Sequence, residues 1–391
     1  MKYLFKRDTI STTIAVFMVM GLFSLIPLNT HVLDPIKLAL TDVSYNDLSF
    51  SPLKAHKDNV ANNNIIIINA GKADRNAINQ LLGVLILRKA KVIGLDLLFL
   101  DHRDTTVDKR LAATMATAPN LVLATKIDFT ENGYSTHGVF DEAVRTRGFA
   151  NFIGEERGVI RYFSPFETWK DAAESSFSSA IVKQASPSAY KKLLDRSNEA
   201  EFINYSRTTD QYFVVDYSEV ITNKTDTGLF RDKIVLVGYI GESPDDIEDK
   251  HFTPLNEKFT GKSIPDMNGV IIHANIISMI LSGKYINKVP TWLSFLISVV
   301  FTWVFVAYTI KFFLEKALWF HLIMKCIQLL LTIIFVYLGI VIRSSAGISV
   351  SFSLLIIAII LAVDVLYFYD ALAKWLHRRY GFKTIFSHAH H

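Results

Sequence analysis

Six polar residues in the middle of the sequence have side chains that suit the binding of a small polar ligand. Carboxylates and imidazoles can hold a cation, and a guanidinium recognises an acidic group. The candidates are Asp96, Asp101, Arg161, Asp249, His251 and His273. Each also has an ordinary structural interpretation, so the elements that position these side chains decide between the two.

Asp96 and Asp101 lie at and just beyond the end of a predicted strand, residues 91–96. Ligands of open α/β sheets bind beyond the carboxyl ends of the strands, which favours a ligand site here. The alternative is that an aspartate caps the next helix or closes a turn. Arg161 follows a glycine turn, where it recognises an acidic ligand or, the favoured interpretation, pairs with an internal carboxylate.

The acidic segment around Asp249 and His251 could meet His273 around a cation, but the spacing matches no ligand template, and no metal site is predicted. Asp249 beside Thr253 and Pro254 more simply fixes a loop by accepting backbone N–H bonds. His273 stands among isoleucines at a predicted helix start, which favours a satisfied, partly buried histidine over a ligand or a proton sensor.

Motifs of known enzymes are missing from the sequence. Gly71-Lys72-Ala73 lacks the further glycines and the Lys-Ser/Thr pair of a phosphate-binding loop, and neither Gly-x-Ser-x-Gly nor His-Glu-x-x-His occurs. The single cysteine, Cys326, excludes an internal disulfide and a thiolate metal site. We therefore expect no catalytic residues, no cofactor and no enzymatic activity.

A strand, a helix and a second strand are predicted around the first candidate residues, at 64–69, 74–88 and 91–96. Such a right-handed βαβ unit, with strands apolar on both faces, predicts an α/β domain with a mixed, partly parallel sheet. Further strands are predicted at 120–124, 201–205 and 233–238, helices at 108–117, 170–185 and 269–282, and loops or edge hairpins at 131–165 and 239–268.

Four apolar stretches are long enough to cross a bilayer as helices, at 9–30, 289–310, 317–342 and 344–369. The first is interpreted as an uncleaved anchor, because its apolar core is long for a signal peptide and no small-residue cleavage site follows. The remaining divisions are a cytoplasmic amino terminus at 1–8, an extracytoplasmic domain at 31–288 and a basic cytoplasmic tail at 370–391.

The distribution of charge predicts the orientation. Lys2, Lys6 and Arg7 precede the first span, and Lys311 and Lys316 connect the second to the third, so both termini are expected in the cytoplasm. Residues 31–288 hold 30 of the 41 Lys and Arg and 33 of the 37 Asp and Glu. The basic pI thus reflects membrane topology and gives no reason to expect nucleic-acid binding. The basic cytoplasmic tail is expected to contact anionic lipid.

Lys325 and Asp364 lie at similar depth in the third and fourth spans, which predicts an interhelical ion pair or a contact with a partner. An unpaired charge near the bilayer centre costs about 2.5–3.5 kcal/mol, and less nearer the interface. His321, four residues before Lys325, joins this pair or lies near the headgroups. A proton path is not favoured, because it needs polar groups at several depths.

The order of several short motifs resembles the second type of CHASE domain, an extracytoplasmic sensory module of bacterial cyclases and histidine kinases. The motifs are Gly94-Leu95-Asp96-Leu97-Leu98-Phe99, Gly158-Val159-Ile160-Arg161, Ile203-Asn204-Tyr205, Lys233-Ile234-Val235-Leu236-Val237-Gly238, Asp249 with Thr253-Pro254-Leu255, and Gly269-Val270-Ile271-Ile272-His273-Ala274-Asn275. The resemblance covers about residues 35 to 288. One span before and three after also resemble this sensor's usual arrangement, which implies a bacterial cytoplasmic membrane.

In that family a catalytic output unit commonly follows the last span, whereas about 20 residues remain after Asp370, so we expect none here. The prediction is a non-enzymatic receptor that senses a ligand or a partner and acts through a separate protein. The alternative is a structural or scaffold subunit of a cell-envelope complex. Expected partners are the lipid bilayer, other proteins or a second copy, and an unidentified small molecule. A receptor should show a polar pocket, whereas a scaffold should show an exposed apolar patch or an uncovered polar pair.

Overall fold

The computed structural model describes residues 3–25, 64–130, 133–152, 155–156, 158–169, 172–243, 246–256, 264–314 and 319–388. The chain divides into two compact units, which are described separately. The α/β unit is Ile36–Ile286, and the helical unit combines Met1–Pro35 with Asn287–His391. The end of the predicted first span, residues 26–30, lies outside the described residues.

The described elements are numbered along the chain. The helices are α1 (Arg7–Ser24), α2 (Arg75–Leu87), α3 (Thr105–Thr117), α4 (Phe177–Ala185), α5 (Pro187–Asp195), α6 (Tyr217–Ile221), α7 (Gly269–Ser282), α8 (Thr291–Leu314), α9 (Phe320–Ala346) and α10 (Ser353–Tyr380). The strands are β1 (Ile65–Asn69), β2 (Val92–Leu95), β3 (Leu121–Thr130), β4 (Gly133–His137), β5 (Thr146–Phe149), β6 (Glu155–Glu156), β7 (Val159–Ile160), β8 (Tyr162–Phe163), β9 (Phe166–Trp169), β10 (Ala172–Ser175), β11 (Glu201–Phe202), β12 (Phe213–Asp216), β13 (Ile234–Gly238), β14 (Lys250–His251), β15 (Met267–Asn268), β16 (Asn287–Lys288) and β17 (Ile348–Ser349).

The main sheet of the α/β unit has the order β12-β1-β13-β2-β3-β4, with β5 also paired to β3. All of its pairs are parallel except β3 with β4. The predicted mixed, partly parallel sheet is therefore confirmed. Strand β12, at the edge beside β1, was not predicted from the sequence.

Both faces of the sheet are buried, as the continuous apolar strands predict. In β1, Ile65 and Ile67 pack toward the face covered by α4 and α7, whereas Ile66 and Ile68 pack toward α2. Helix α2 begins where the Asp74 side chain accepts a hydrogen bond from Ala77 N. The result is a three-layer α/β arrangement.

The predicted helix at 170–185 is wrong in its first half. The antiparallel hairpin β9–β10 extends to Ser175, and the helix begins only after Ser176, whose hydroxyl accepts a hydrogen bond from Ser179 N. The apolar residues that pack on the sheet, including Phe177 and Ile181, all follow this cap. The region predicted as loops and edge hairpins, 131–165, also contributes β5 to the main sheet.

Among the described residues, three helices of the helical unit are long and apolar enough to cross a membrane, namely α8, α9 and α10. Helix α9 continues to Ala346 and ends at Gly347, whose φ of 64° is the left-handed conformation that glycine adopts readily. Helix α10 therefore begins at Ser353, later than the predicted 344, and continues to Tyr380. Helix α1 is not among the three helices with the length and hydropathy of a span.

Helix α1 packs antiparallel to α8. Trp303 Nε1 donates to Leu4 O at 2.9 Å, and the rings of Phe17 and Phe295 lie 5.7 Å apart, so residue numbers rise along one helix and fall along the other. Near its start, the buried Asp8 carboxylate accepts hydrogen bonds from Thr384 Oγ1 at 2.8 Å and Ile385 N at 3.2 Å. These bonds hold the segment after α10 against the first helix.

Strands β16 and β17 form a short parallel pair within the helical unit. Asn287 N donates to Gly347 O at 2.7 Å, and Val289 N donates to Ser349 O at 3.0 Å. One strand immediately precedes α8 and the other precedes α10. The pair thus joins the starts of two membrane-length helices.

Candidate functional site

A pocket of about 530 Å³ lies at the carboxyl ends of β2, β5 and β13, beside the middle of β3 and the first turn of α7. We refer to it as the strand-end pocket. It is the position at which open α/β sheets bind ligands. Its lining residues are Asp96, Leu97, Leu98, Thr125, Lys126, Ala150, Asn151, Phe152, Tyr239, Glu248, Asp249, His251, Gly269 and His273.

Four of the six residues predicted from the sequence line this pocket, namely Asp96, Asp249, His251 and His273. They come from segments far apart in the sequence and meet because parallel strands end at one edge of the sheet. Among the residues that the structure describes, no cluster of three or more His, Cys, Asp or Glu side chains could hold a metal ion.

Asp96 is the first residue after β2, and its backbone N–H donates to Val237 O at 2.8 Å, which extends the ladder with β13. Within the described part of the chain, its half-buried carboxylate accepts no hydrogen bond and meets no cation. Burial and the nearby Asp249 carboxylate together raise the pKa of Asp96 to about 7. The group is thus poised to exchange a proton near neutral pH.

Asp249 has a left-handed backbone conformation, with φ of 58°. Its Oδ2 accepts a hydrogen bond of 3.3 Å from Gly269 N at the start of α7, and His251 Nε2 lies 3.9 Å from Oδ1. Burial raises the pKa of Asp249, while His251 and the Gly269 N–H act in the opposite direction. Asp249 therefore caps a helix as well as lining the pocket.

His273 is buried and fully engaged. Its Nδ1 lies 2.9 Å from Ser178 Oγ, its ring stacks on Phe152 at 4.8 Å, and Phe177 meets it edge-on at 5.1 Å. Burial lowers its pKa to about 3, so the imidazole is neutral at physiological pH. His273 is therefore a hydrogen-bonded interior histidine that also forms part of the pocket wall.

Arg161 and Asp101 do not line the pocket. Arg161 is 1% exposed and lies between β7 and β8. Burial raises the pKa of the nearby Tyr205 phenol well above its usual value, and the positive charge of Arg161 acts in the opposite direction. The exposed Asp101 offers only its backbone carbonyl, which accepts a hydrogen bond from Arg75 Nη2. That arginine also pairs with the buried Asp108 at 2.6 Å, a contact that fixes the loop after β2.

The loop that the sequence assigned to Asp249 with Thr253 is held by a different carboxylate. Asp266 accepts hydrogen bonds from Thr253 N at 2.8 Å and from Thr253 Oγ1 at 2.5 Å. Burial raises the pKa of Asp266 to about 6. No spacing pattern in the sequence predicts this pair, because 13 residues separate its members.

Other pocket residues were also missed from the sequence. Thr125 in β3 is fully buried, and its hydroxyl has no hydrogen-bond partner among the described residues. Phe152 supplies an aromatic wall, with its ring edge-on to His251 at 5.2 Å. The sequence pattern placed 120–124 in a strand, but only the sheet order shows that its end adjoins the end of β2.

In the helical unit, Lys325 Nζ lies 3.2 Å from Asp364 Oδ2, and the two side chains are 50% and 51% exposed. The structure thus brings together the two charges that the sequence placed at one depth. His321 does not join them, and its ring stacks on Tyr367 at 4.9 Å. The ion pair lies between α9 and α10 on a surface that the described residues leave open.

The chain matches the model of a known protein family. The family is described as the CHASE2 domain, and the match covers residues 42–309, more than half of the chain. It includes every strand of the main sheet, the strand-end pocket and most of α8. Among curated proteins and solved structures, none matches the chain.

Proposed function

This chain belongs to the CHASE2 domain family, and from that membership we propose that it is a membrane receptor whose α/β unit binds a small ligand in the strand-end pocket. The family match and the three membrane-length helices indicate a membrane protein with an extracytoplasmic sensory domain. The pocket is the observation that carries the proposal. It combines concave shape, polar and aromatic walls and a carboxylate with a strongly raised pKa, which together are typical of ligand sites.

Binding fits the pocket chemistry better than catalysis does. Among the described pocket residues, His273 is neutral and engaged with Ser178 away from Asp96, and the Asp96 carboxylate has no hydrogen-bonded nucleophile. A general base needs a reacting group within hydrogen-bond reach. We therefore propose a sensor and not an enzyme.

We propose that α1 is a fourth span and that the protein resides in a bacterial cytoplasmic membrane with both termini in the cytoplasm. Its antiparallel packing on α8 supports a crossing, because the chain then runs in opposite directions along two neighbouring helices, as consecutive spans do. Lys6 and Arg7 at the start of α1 suit the cytoplasmic side.

The proposed receptor acts through a second protein that contacts α9 and α10. Helix α9 supports this step, because only 17% of its apolar stretch is buried, whereas 44% of the corresponding stretch is buried in α8 and in α10. The half-exposed Lys325–Asp364 pair lies on the same open surface. A structural subunit of an envelope complex is the alternative function, and this uncovered pair is the observation in its favour.

Two substitutions in the loop after β2 test the receptor proposal. Leu98 lines the strand-end pocket and is 46% exposed, whereas Leu100 is 54% exposed and lies outside it. Leu98→Trp should fill the pocket without disturbing the core, and Leu100→Trp makes the matched change elsewhere. Intact protein in detergent is screened by thermal unfolding against a library of cationic, anionic and neutral small molecules.

A ligand at about 100 times its Kd stabilises the folded state by about 2.7 kcal/mol, which is a readily measured rise in Tm. We expect compounds that raise the Tm of the unaltered protein and of Leu100→Trp but not that of Leu98→Trp. The receptor proposal is wrong if no compound stabilises the protein, or if every active compound stabilises Leu98→Trp equally. Co-purifying proteins without any such ligand would favour the structural alternative.

A further inference from the structure

We propose that the ligand of the strand-end pocket is a small organic cation, held by the Asp96 carboxylate against the ring of Phe152. This inference rests on the proposed receptor function and assigns its ligand class. It follows from the charges that face the pocket, from which of them the chain already neutralises, and from the shape and aromatic character of the space that remains.

The basic and acidic groups around the pocket are mostly engaged with one another. Lys126 Nζ lies 3.3 Å from Asp128, which offsets its charge. Tyr239 donates its hydroxyl hydrogen to Asp246 at 2.5 Å, and Asp246 also accepts from Glu248 N at 2.9 Å. The neutral His273 contributes no charge.

The start of α7 would by itself favour an anion, because helix amino termini carry partial positive charge. Asp249 already occupies that position, since its Oδ2 accepts the hydrogen bond from Gly269 N, and His251 Nε2 lies 3.9 Å from its Oδ1. The anion-binding capacity of this helix end is therefore used by the chain's own carboxylate. An anionic ligand would be repelled by the carboxylates of Asp249 and Glu248, which also line the pocket.

Asp96 is the acidic group left without compensation. Among described residues it has neither a hydrogen-bond donor nor a cation, and Asp249 adds a second negative charge nearby. An ionised carboxylate removed from water is unfavourable until a positive charge or donor meets it. A bound cation would supply both, which is why the site favours positive charge.

The remaining space is too large for a bare metal ion, and the described side chains provide no metal-binding cluster. Phe152 offers an aromatic face, and its packing on His273 and His251 fixes the ring. Ammonium groups bind aromatic faces favourably. The buried Thr125 hydroxyl, which lacks a partner among the described residues, can accept one further N–H bond.

Three probes of one shape test the charge preference: benzylammonium, benzyl alcohol and benzoate. Binding to the intact protein in nanodiscs is measured by titration at pH 8 and pH 6. At pH 8 we expect benzylammonium to bind about tenfold or more tightly than benzyl alcohol, and benzoate to bind most weakly. Asp96→Asn should remove most of the benzylammonium preference, whereas the matched variant Asp101→Asn, outside the pocket, should keep it.

The pH arm provides a second measurement on the unaltered protein. Lowering the pH from 8 to 6 protonates Asp96 and should weaken benzylammonium up to about tenfold while leaving benzyl alcohol unchanged. His251 lies near Asp249 in the unaltered protein and in Asp96→Asn alike, so the comparison of the two proteins isolates the contribution of Asp96.

Tighter binding of benzoate or of benzyl alcohol than of benzylammonium, with loss of that binding in Leu98→Trp, would overturn the cation proposal and leave the receptor function standing. An equal benzylammonium preference in Asp96→Asn would also overturn it. Failure of all three probes to bind would contradict the cation proposal, and the wider library screen then decides the receptor function separately.

Discussion

Asp96 places a carboxylate at the end of β2 near a second carboxylate, that of Asp249, and burial together with this neighbour raises the pKa of Asp96 to about 7. The apolar run that precedes Asp96 predicts that this residue lies at the end of a strand. A ligand site is expected at that position in an open α/β sheet. The neighbour that raises its pKa, Asp249, comes from 153 residues later in the sequence. Thr125 and Phe152 were not predicted for the same reason. A threonine or a phenylalanine does not by itself indicate a ligand site until the sheet order shows that it lines the pocket.

Asp96→Asn should change how the stability of the α/β unit depends on pH. The pKa of Asp96 is about 7 in the folded protein and near its ordinary value, 3.8, when unfolded. The folded state thus binds the extra proton between these values, so this group makes stability fall as pH rises from about 4 to 8. The variant lacks the penalty and should be more stable than the unaltered protein at pH 8 by about 1–3 kcal/mol, with little of this advantage at pH 4.

Thermal unfolding of the intact protein across this pH range measures the difference. The pKa of Asp266, about 6, changes stability in the same direction, but both proteins share it. His273, with its pKa of about 3, has the opposite effect, which is loss of stability as pH falls below about 6.5, and it is shared as well. A pH-independent difference between variant and unaltered protein would contradict the assignment to Asp96.

At the scale of elements, β1, α2 and β2 were predictable because an uninterrupted β-branched run and a helical spacing of leucines each favour one structure. Strand β12 was not, because its four residues are partly exposed at the sheet edge and lack that continuous apolar pattern. The close approach of α4 to β5 could not be predicted from the sequence pattern either. It depends on Gly148, where an added Cβ would lie 2.7 Å from Phe177 Cα and N.

Gly148→Ala should destabilise the α/β unit by about 1–3 kcal/mol, because the clash is with backbone atoms that cannot rotate away. Gly83→Ala is the matched control. Gly83 lies inside α2 with no atom within 4 Å of an added Cβ, so alanine should stabilise the helix by about 0.5–1 kcal/mol. Chemical denaturation of the intact protein measures both changes. Equal effects of the two substitutions would show that α4 does not pack as described.

At the scale of the whole molecule, hydropathy and charge in the sequence predicted the three carboxyl-terminal apolar helices and the meeting of Lys325 with Asp364. The end of α9 and the late start of α10 were not predictable from hydropathy, since residues 344–363 are uncharged throughout. The break depends on Gly347 and on the pairing of β16 with β17, which is a backbone feature.

Lys325→Leu should destabilise the helical unit by leaving the Asp364 carboxylate without its cation in an apolar environment. The loss should approach about 2.5–3.5 kcal/mol if the pair lies near the bilayer centre, and it should be smaller nearer the interface. The double variant Lys325→Leu/Asp364→Leu should recover much of this loss. Unfolding in mixed micelles with increasing sodium dodecyl sulfate measures it.

Cys326→Leu provides the control, because this exposed neighbour on α9 takes no part in the pair. It should unfold as the unaltered protein does. An unchanged unfolding curve for Lys325→Leu alone, or a double variant weaker than either single one, would show that the pair contributes no stability.

The short parallel pair of strands before α8 and α10 determines from which end of the helical unit each of these helices begins. Because β16 and β17 run in the same direction and each leads into a helix, the chain enters α8 and α10 from one end of the bundle, while α9 returns between them. Determining on which face of the bilayer Lys288 lies therefore also assigns Ser349 to that face. It assigns Gly381, at the far end of α10, to the opposite one.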